Sequence, residues 1–249
     1  MKPNLFGITN LSYNLMMILG FLSAFLLVVF YLKRNKITKE GIIDFAICTC
    51  FTIVGSIIFA ILFENLYELI KEGWSHKFNF HMTFYGGLIG GVGTFILVYH
   101  IMRKDVNFDI KDVVKVAPAA IALGHGFGRI GCFLAGCCHG MPTDSWIGLP
   151  CSQDNPGVKV VPTQLIEAIF LFVLAVVLIF LLLKKNFKYN FVVYVASYGV
   201  FRFVIEFFRG DERGVSFFLS PSQVWSIILI LGAAPIRMYL KALFKDEKK

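Results

Sequence analysis

Apolar residues run along this chain in long blocks broken by short polar interruptions. Seven blocks, at about 13–32, 42–63, 83–102, 113–135, 165–183, 191–208 and 223–240, approach the ~20 residues a helix needs to cross a hydrocarbon core of ~30 Å. Backbone groups in lipid must satisfy one another, and a continuous helix does so. The pattern therefore predicts an all-α integral membrane protein of about seven transmembrane helices, with residues 1–249 forming a single polytopic membrane domain. Between the second and third blocks, Leu66, Tyr67, Leu69, Ile70 and Trp74 alternate with polar residues, so the loop 64–80 is expected either to lie along the outer interface or to be a plain connector. The stretch 141–161 carries Pro142, Gly148, Pro150 and Pro156 and is expected to be irregular.

Composition supports this reading. Hydrophobic residues make up 57% and charged residues 16%, against roughly 25% charged in soluble domains, and mean hydropathy is +0.72. The net charge of +8 does not imply a nucleic-acid partner, because the cations cluster in alternate loops. Lys33, Arg34, Lys36 and Lys39 follow the first block, Arg103, Lys104, Lys111 and Lys115 the third, and Lys184, Lys185 and Lys188 the fifth. This asymmetry predicts an outside N-terminus and a cytoplasmic C-terminus. The first block has full span length and no small-residue cleavage site, so it reads as a retained span rather than a signal peptide.

Two blocks carry groups that are costly in lipid. His125, Arg129 and Cys132 share one helical face at i, i+4 and i+7, in a helix thinned by glycines 124, 126, 128 and 131. Helix packing accounts for the glycines but not for Arg129, since an arginine at membrane depth is kept for function. In the sixth block Tyr198, Arg202, Glu206 and Arg209 form a second ladder, expected to face a polar interior. Within it, Arg202 and Glu206 are placed to neutralise each other, and Arg209 to snorkel to headgroups. Guanidinium groups hold phosphate through a bidentate fork, so the convergence of these arginines predicts an anionic ligand of the phospholipid headgroup class. His81 and Tyr85 stand one turn apart, beside Gly86 and Gly87.

The cysteines admit several readings. Cys132, Cys137, Cys138, His139 and Cys151 lie close in sequence on the outer side, where a disulfide from Cys151 to Cys137 or Cys138 is one outcome and inert thiols another. Cys137-Cys138-His139 offers metal-ligand chemistry without the two-residue spacer of a zinc knuckle, so no metal and no cofactor are assigned.

With these residues in view, the chain resembles the prolipoprotein diacylglyceryl transferase family. Gly128-Arg129-Ile130-Gly131-Cys132-Phe133 through Gly140 resembles its Gly-Arg-Ile-Gly-Asn-Phe signature with a closing glycine. Tyr85-Gly86-Gly87-Leu88 resembles its His-Gly-Gly-Leu motif, and Val161-Pro162-Thr163-Gln164-Leu165 through Glu167 its His-Pro-Ser-Gln-Leu-Tyr-Glu motif. Tyr198 to Arg209 resembles its late Tyr/Arg/Glu/Arg helix, Ser222-Gln223 the start of its last span, and Tyr13 its early tyrosine. The chain departs from the family at Cys132, Ala135 and Cys137, which replace two asparagines and a glutamate, and at Tyr85, which replaces a histidine.

The resemblance implies a bacterial cytoplasmic (inner) membrane enzyme. It would move a diacylglyceryl group from phosphatidylglycerol to the lipobox cysteine thiol of a preprolipoprotein signal peptide, releasing glycerol phosphate. Arg129 and Arg202 would clamp phosphate, with Arg209 a third cation, Tyr13 and Tyr198 orienting the headgroup and Glu206 holding an arginine. Gly86, Gly87, Cys132 and Gly140 would line the substrate, and His81, His125 and Tyr85 are the candidate bases. Two other readings stay open: a related transferase with a different acceptor, and a non-catalytic lipid- or metal-binding membrane protein.

Overall fold

A computed structural model describes residues 11–72, 78–102, 106–152, 157–185, 187–210 and 219–245. Among them are seven α-helices: α1 (Leu11–Arg34), α2 (Lys39–Glu72), α3 (Phe84–Ile101), α4 (Ile110–Ala135), α5 (Thr163–Lys185), α6 (Asn190–Ile205) and α7 (Pro221–Leu243). Each coincides with one apolar block. Five helices are long and apolar enough to cross a bilayer, α3 is shorter, and α4 is diluted by its glycines, His125 and Arg129. Side chains such as Ile18, Leu97, Val176 and Leu231 stand exposed along the helices, as expected where lipid is the solvent. The chain is an all-α integral membrane protein.

It divides into two compact units, 1–31 with 110–249 and 32–109. In the first, Ala119 and Ala122 of α4 pack on Leu171, Leu174, Ala175 and Leu178 of α5, with Tyr194 and Tyr198 of α6 closing over them. Alanines on one helix facing leucines on the other let the backbones approach while filling the gap. Near the other end of this interface the fully buried Asn190 donates from Nδ2 to the Leu178 carbonyl at 3.1 Å. At the α1–α4 crossing, a Cβ added to Gly20 would meet the Gly124 carbonyl oxygen at 2.8 Å, so bare backbone is required there.

In the second unit α2 runs against α3, and Phe45 sits edge-on to Phe95 and Phe108. The expectation of a loop from residue 64 needs correction. Residues 64–72 prolong α2, because Glu64 to Glu72 contains no helix breaker, and Leu66, Tyr67, Leu69 and Ile70 are exposed on it. Trp74 lies outside the described residues. Asn65 then clamps the return of the chain, bonding the Asn79 backbone through both side-chain ends at 2.8 and 2.9 Å. Thr83 caps α3 by accepting from the Gly86 N–H at 3.3 Å.

Gly20→Val should overpack the α1–α4 crossing and destabilise the protein by about 1–3 kcal/mol. Unfolding in detergent, followed by tryptophan fluorescence, would register this as a lowered midpoint.

Candidate active site

The face of α5 that turns inward begins with polar side chains and becomes aliphatic. Thr163, Gln164 and Glu167 are fully buried, and Ala168 and Leu171 continue the same stripe. Glu167 is the one acid between 163 and 185, and it is placed where no water reaches it. A buried carboxylate is tolerated only with cations and hydrogen-bond donors around it.

Neighbouring helices supply them. From α4, Arg129 brings Nε to 3.1 Å from Glu167 Oε2, and His125 brings Nε2 to 3.7 Å from Oε1. From α6, the Tyr198 hydroxyl donates to Oε1 at 2.9 Å, and Arg202 Nη1 lies 3.8 Å from Oε2. The i, i+4 spacing of His125 with Arg129, and of Tyr198 with Arg202, aims each pair at the same carboxylate. The His125 ring also packs on the Tyr198 ring, with centroids 5.3 Å apart. His125 keeps 29% of its side chain accessible while Glu167 keeps none, so an incoming molecule meets the imidazole before the carboxylate.

Arg202 has a second carboxylate. Its Nη2 lies 2.8 Å from Glu206 Oε2 and donates to Ser222 Oγ at 3.0 Å. The Ser220 hydroxyl donates to Glu206 Oε1 at 2.8 Å while accepting from the Gln223 N–H, so the cap of α7 fixes the far side of the ion pair. The expected Arg202–Glu206 pairing is present, and Glu167 joins it to Arg129.

Arg209 does not continue the α6 ladder. The helix ends at Ile205, a 3₁₀ turn covers Glu206–Phe208, and Arg209 is extended with φ −80° and ψ 143°. Its backbone pairs with Gly140, and the side chain is buried rather than snorkelling outward. Gly140 is hemmed in: an added Cβ would lie 2.6 Å from both the Phe208 and Val161 carbonyl oxygens. Gly140 N–H donates to Val161 O and Met141 N–H to Phe208 O, each at 2.9 Å. These crossings tie the end of the Gly128–Gly140 motif to both 161 and 208. The described residues of this loop, 141–152 and 157–161, are irregular as expected, with isolated bridges Pro142–Val160 and Leu149–Val160.

A thiol corner lies beside this crossing. After α4 the chain turns through Gly136 at φ +80° and Cys138 at φ +61°. Positive φ is uncommon outside glycine. Thr163 Oγ1 donates to the Cys138 carbonyl at 3.0 Å and Gln164 Nε2 to the Cys137 carbonyl at 2.7 Å, which holds the turn. The sulfurs of Cys132, Cys137 and Cys138 all lie within 4.8 Å of one another. Hydrogen bonds from Cys132 and Cys137, with Arg209 alongside, hold the Cys138 thiol far below the usual thiol range. Hydrogen bonds with Cys132 and Cys138 push Cys137 up. Burial raises Cys151. All six cysteines are free, so the expected option of a bridge from Cys151 is not realised. His139 turns away from the sulfurs, with Nδ1 2.9 Å from Gly140 O and Nε2 2.9 Å from Ser152 Oγ.

Tyr13 lies against the bare backbone of Gly131, where an added Cβ would meet its Cδ2 at 3.1 Å. An apolar groove of about 350 Å³, lined by Met17, Gly20, Phe21, Ala24, Ala120 and Gly124, opens between α1 and α4.

Comparison with known proteins now bears on these residues. The sequence profile of "Prolipoprotein diacylglyceryl transferase" matches residues 3–239. The chain belongs to the prolipoprotein diacylglyceryl transferase family. A Clostridium tetani protein named phosphatidylglycerol–prolipoprotein diacylglyceryl transferase is 35% identical over 93% of this chain and 94% of its own length. Proteins of the same name from Clostridium perfringens (its copy numbered 2) and Clostridioides difficile are each 32% identical. The alignments cover 92% and 98% of this chain, and 90% and 96% of those proteins.

Among the residues expected at the site, the first unit joins His125, Arg129, Tyr198, Arg202 and Glu206 in one network, with Cys132, Gly140 and Arg209 in the adjoining corner. His81, Gly86 and Gly87 belong to the second unit. There His81 is exposed and its N–H donates to Asn79 Oδ1 at 2.9 Å, while an added Cβ on Gly86 would meet the Phe59 carbonyl oxygen at 2.7 Å. The Tyr85 side chain lies outside the described residues. Sequence reasoning did not place Glu167 at the centre. Its signal was visible as a lone acid in an apolar block, but which cations it meets depends on helix packing.

Glu167→Ala leaves the buried Arg202 and the partly buried Arg129 short of a partner and should cost roughly 3–5 kcal/mol. Tyr198→Phe removes one hydrogen bond to a charged group and should cost about 1.5–3 kcal/mol. Thermal or denaturant unfolding of both variants in detergent would check that order, and equal losses would remove Glu167 from the hub.

Proposed function

We propose that this chain is a phosphatidylglycerol-dependent prolipoprotein diacylglyceryl transferase of the bacterial cytoplasmic membrane. It acts as one polytopic domain with its N-terminus outside. The observation that carries the reading is the pair of guanidinium groups, Arg129 and Arg202, brought from separate helices onto the buried carboxylate of Glu167. Membership of the family and the names of its relatives supply the reaction class.

In the reaction the lipobox thiol gives up its proton and its sulfur attacks the glyceryl carbon that bears the phosphate ester. A C–S bond forms, the C–O bond to phosphate breaks, and glycerol phosphate leaves with one more negative charge than the phosphodiester carried. Cations at the phosphate therefore gain attraction as the bond breaks, and that differential lowers the barrier. Glu167 takes the Nε edge of Arg129, which leaves the Nη1/Nη2 fork as the edge that binds phosphate. Arg202 sets the other side and Arg209 adds a third positive charge, while Tyr13 and Tyr198 orient the headgroup. The apolar groove between α1 and α4 accommodates an acyl chain.

His125 is the base this geometry supports best. It is the accessible imidazole of the network, and Glu167 stands on the side where an imidazolium forms.

The test uses purified protein in vesicles with labelled phosphatidylglycerol and a lipobox peptide. A thioether-linked diacylglyceryl peptide is the expected product, and its failure to form beside an active relative overturns the assignment. Arg129→Ala and Arg202→Ala should each lower the rate by about 10²–10³-fold or more, and full activity in either removes the clamp. His125→Gln should lower it by about 10²–10⁴-fold, and a larger loss in His81→Gln would move the base to the second unit.

A further inference from the structure

The thiol corner has a geometry that the transferase reaction does not require. Its three sulfurs come from the last turn of α4 and the turn that follows, all are partly accessible, and they form a triangle with every edge within 4.8 Å. A zinc–sulfur distance of about 2.3 Å sets sulfurs roughly 3.8–4.0 Å apart in tetrahedral or trigonal arrangements. The triangle therefore needs to contract by less than about 1 Å to close on an ion.

The backbone that holds this triangle is costly and well braced. Cys138 adopts a positive φ, and two fully buried side chains of α5, Thr163 and Gln164, hold the carbonyls of Cys138 and Cys137. A conformation of this kind persists where its surroundings over-determine it. Arg209 lies against Cys138, and Arg129 acts electrostatically on Cys132. Three thiolates around a divalent ion carry a net negative charge, and these two guanidinium groups offset it. A disulfide would use two sulfurs and leave the third unexplained. Thiolates select soft or borderline ions over Mg²⁺ and Ca²⁺.

We infer that Cys132, Cys137 and Cys138 form a three-sulfur binding site for a thiophilic metal ion, Zn²⁺ or Cu⁺. His139 is not a ligand, since both its ring nitrogens face other partners. The fourth position of a zinc ion there stays open to water or a small ligand. Up to three thiol protons leave as the metal binds, and the bound ion staples the end of α4 to the turn that Thr163 and Gln164 brace.

The experiment loads the full-length protein, purified under reducing conditions, with Zn²⁺ or Cu⁺ separately and measures retained metal against a competing chelator. One equivalent of one ion should be retained, and the ion held against the stronger chelator identifies the metal. Cys132→Ser, Cys137→Ser and Cys138→Ser should each weaken retention at least about tenfold, while Cys151→Ser and Cys50→Ser keep it. X-ray absorption of the metal-loaded wild-type protein gives a readout free of folding effects, with three sulfur neighbours at about 2.3 Å expected for zinc. An oxygen- and nitrogen-only shell overturns the site. So does wild-type retention no greater than that of the triple serine variant, or reduced protein that holds no metal yet forms a disulfide among these thiols on air exposure. Metal content and absorption are read without the transferase reaction, so either reading can fail while the other stands.

Discussion

A carboxylate buried among apolar helices is the constraint from which the first unit is organised. Without partners, the charge of Glu167 would be expelled from an interior of low dielectric. With Arg129, Arg202, His125 and Tyr198 around it, the same charge draws α4, α5 and α6 to one point. The arginines gain as well, because each is oriented by a fixed acid before any ligand arrives. Preorganised cations are what a reaction that builds charge on a departing phosphate requires.

Close backbone approach is the second organising element, and it works at the edges of this network. Gly140 lets the end of the signature motif pass between the carbonyls of Phe208 and Val161, so residues distant in sequence meet beside the ion cluster. Gly20 and Gly124 let α1 lie near α4, beside an apolar groove between the two helices. Bare backbone at these points brings separate spans into close contact. Arg209 follows from the same crossing: once α6 stops at Ile205 and the chain extends to pair with Gly140, its side chain is carried inward to Cys138. The thiol corner and the ion cluster thus share their scaffold while differing in chemistry. Thr163 and Gln164 brace the thiol turn, and Glu167, on the same face of the same helix, anchors the arginines.

The sequence by itself determined the number, kind and approximate limits of the helices, because a bilayer imposes one length and one composition on anything that crosses it. It also marked Arg129 and Arg202 as residues that must face a polar interior, since an ionisable group in such a run is too costly to leave against lipid. Helical spacing further placed His125 with Arg129, and Tyr198 with Arg202 and Glu206. Spacing could not say where α6 stops, so Arg209 read as another rung of the ladder, nor that α2 runs on to Glu72. Only the tertiary structure decided that Glu167 is shared by both arginines and that Cys138 adopts a positive φ. It also decided that Cys132, Cys137 and Cys138, rather than Cys151 or His139, form the cluster. These are matters of which helix faces which and how one turn is braced. Periodicity along a single chain records the face a residue occupies but not the partner that face meets.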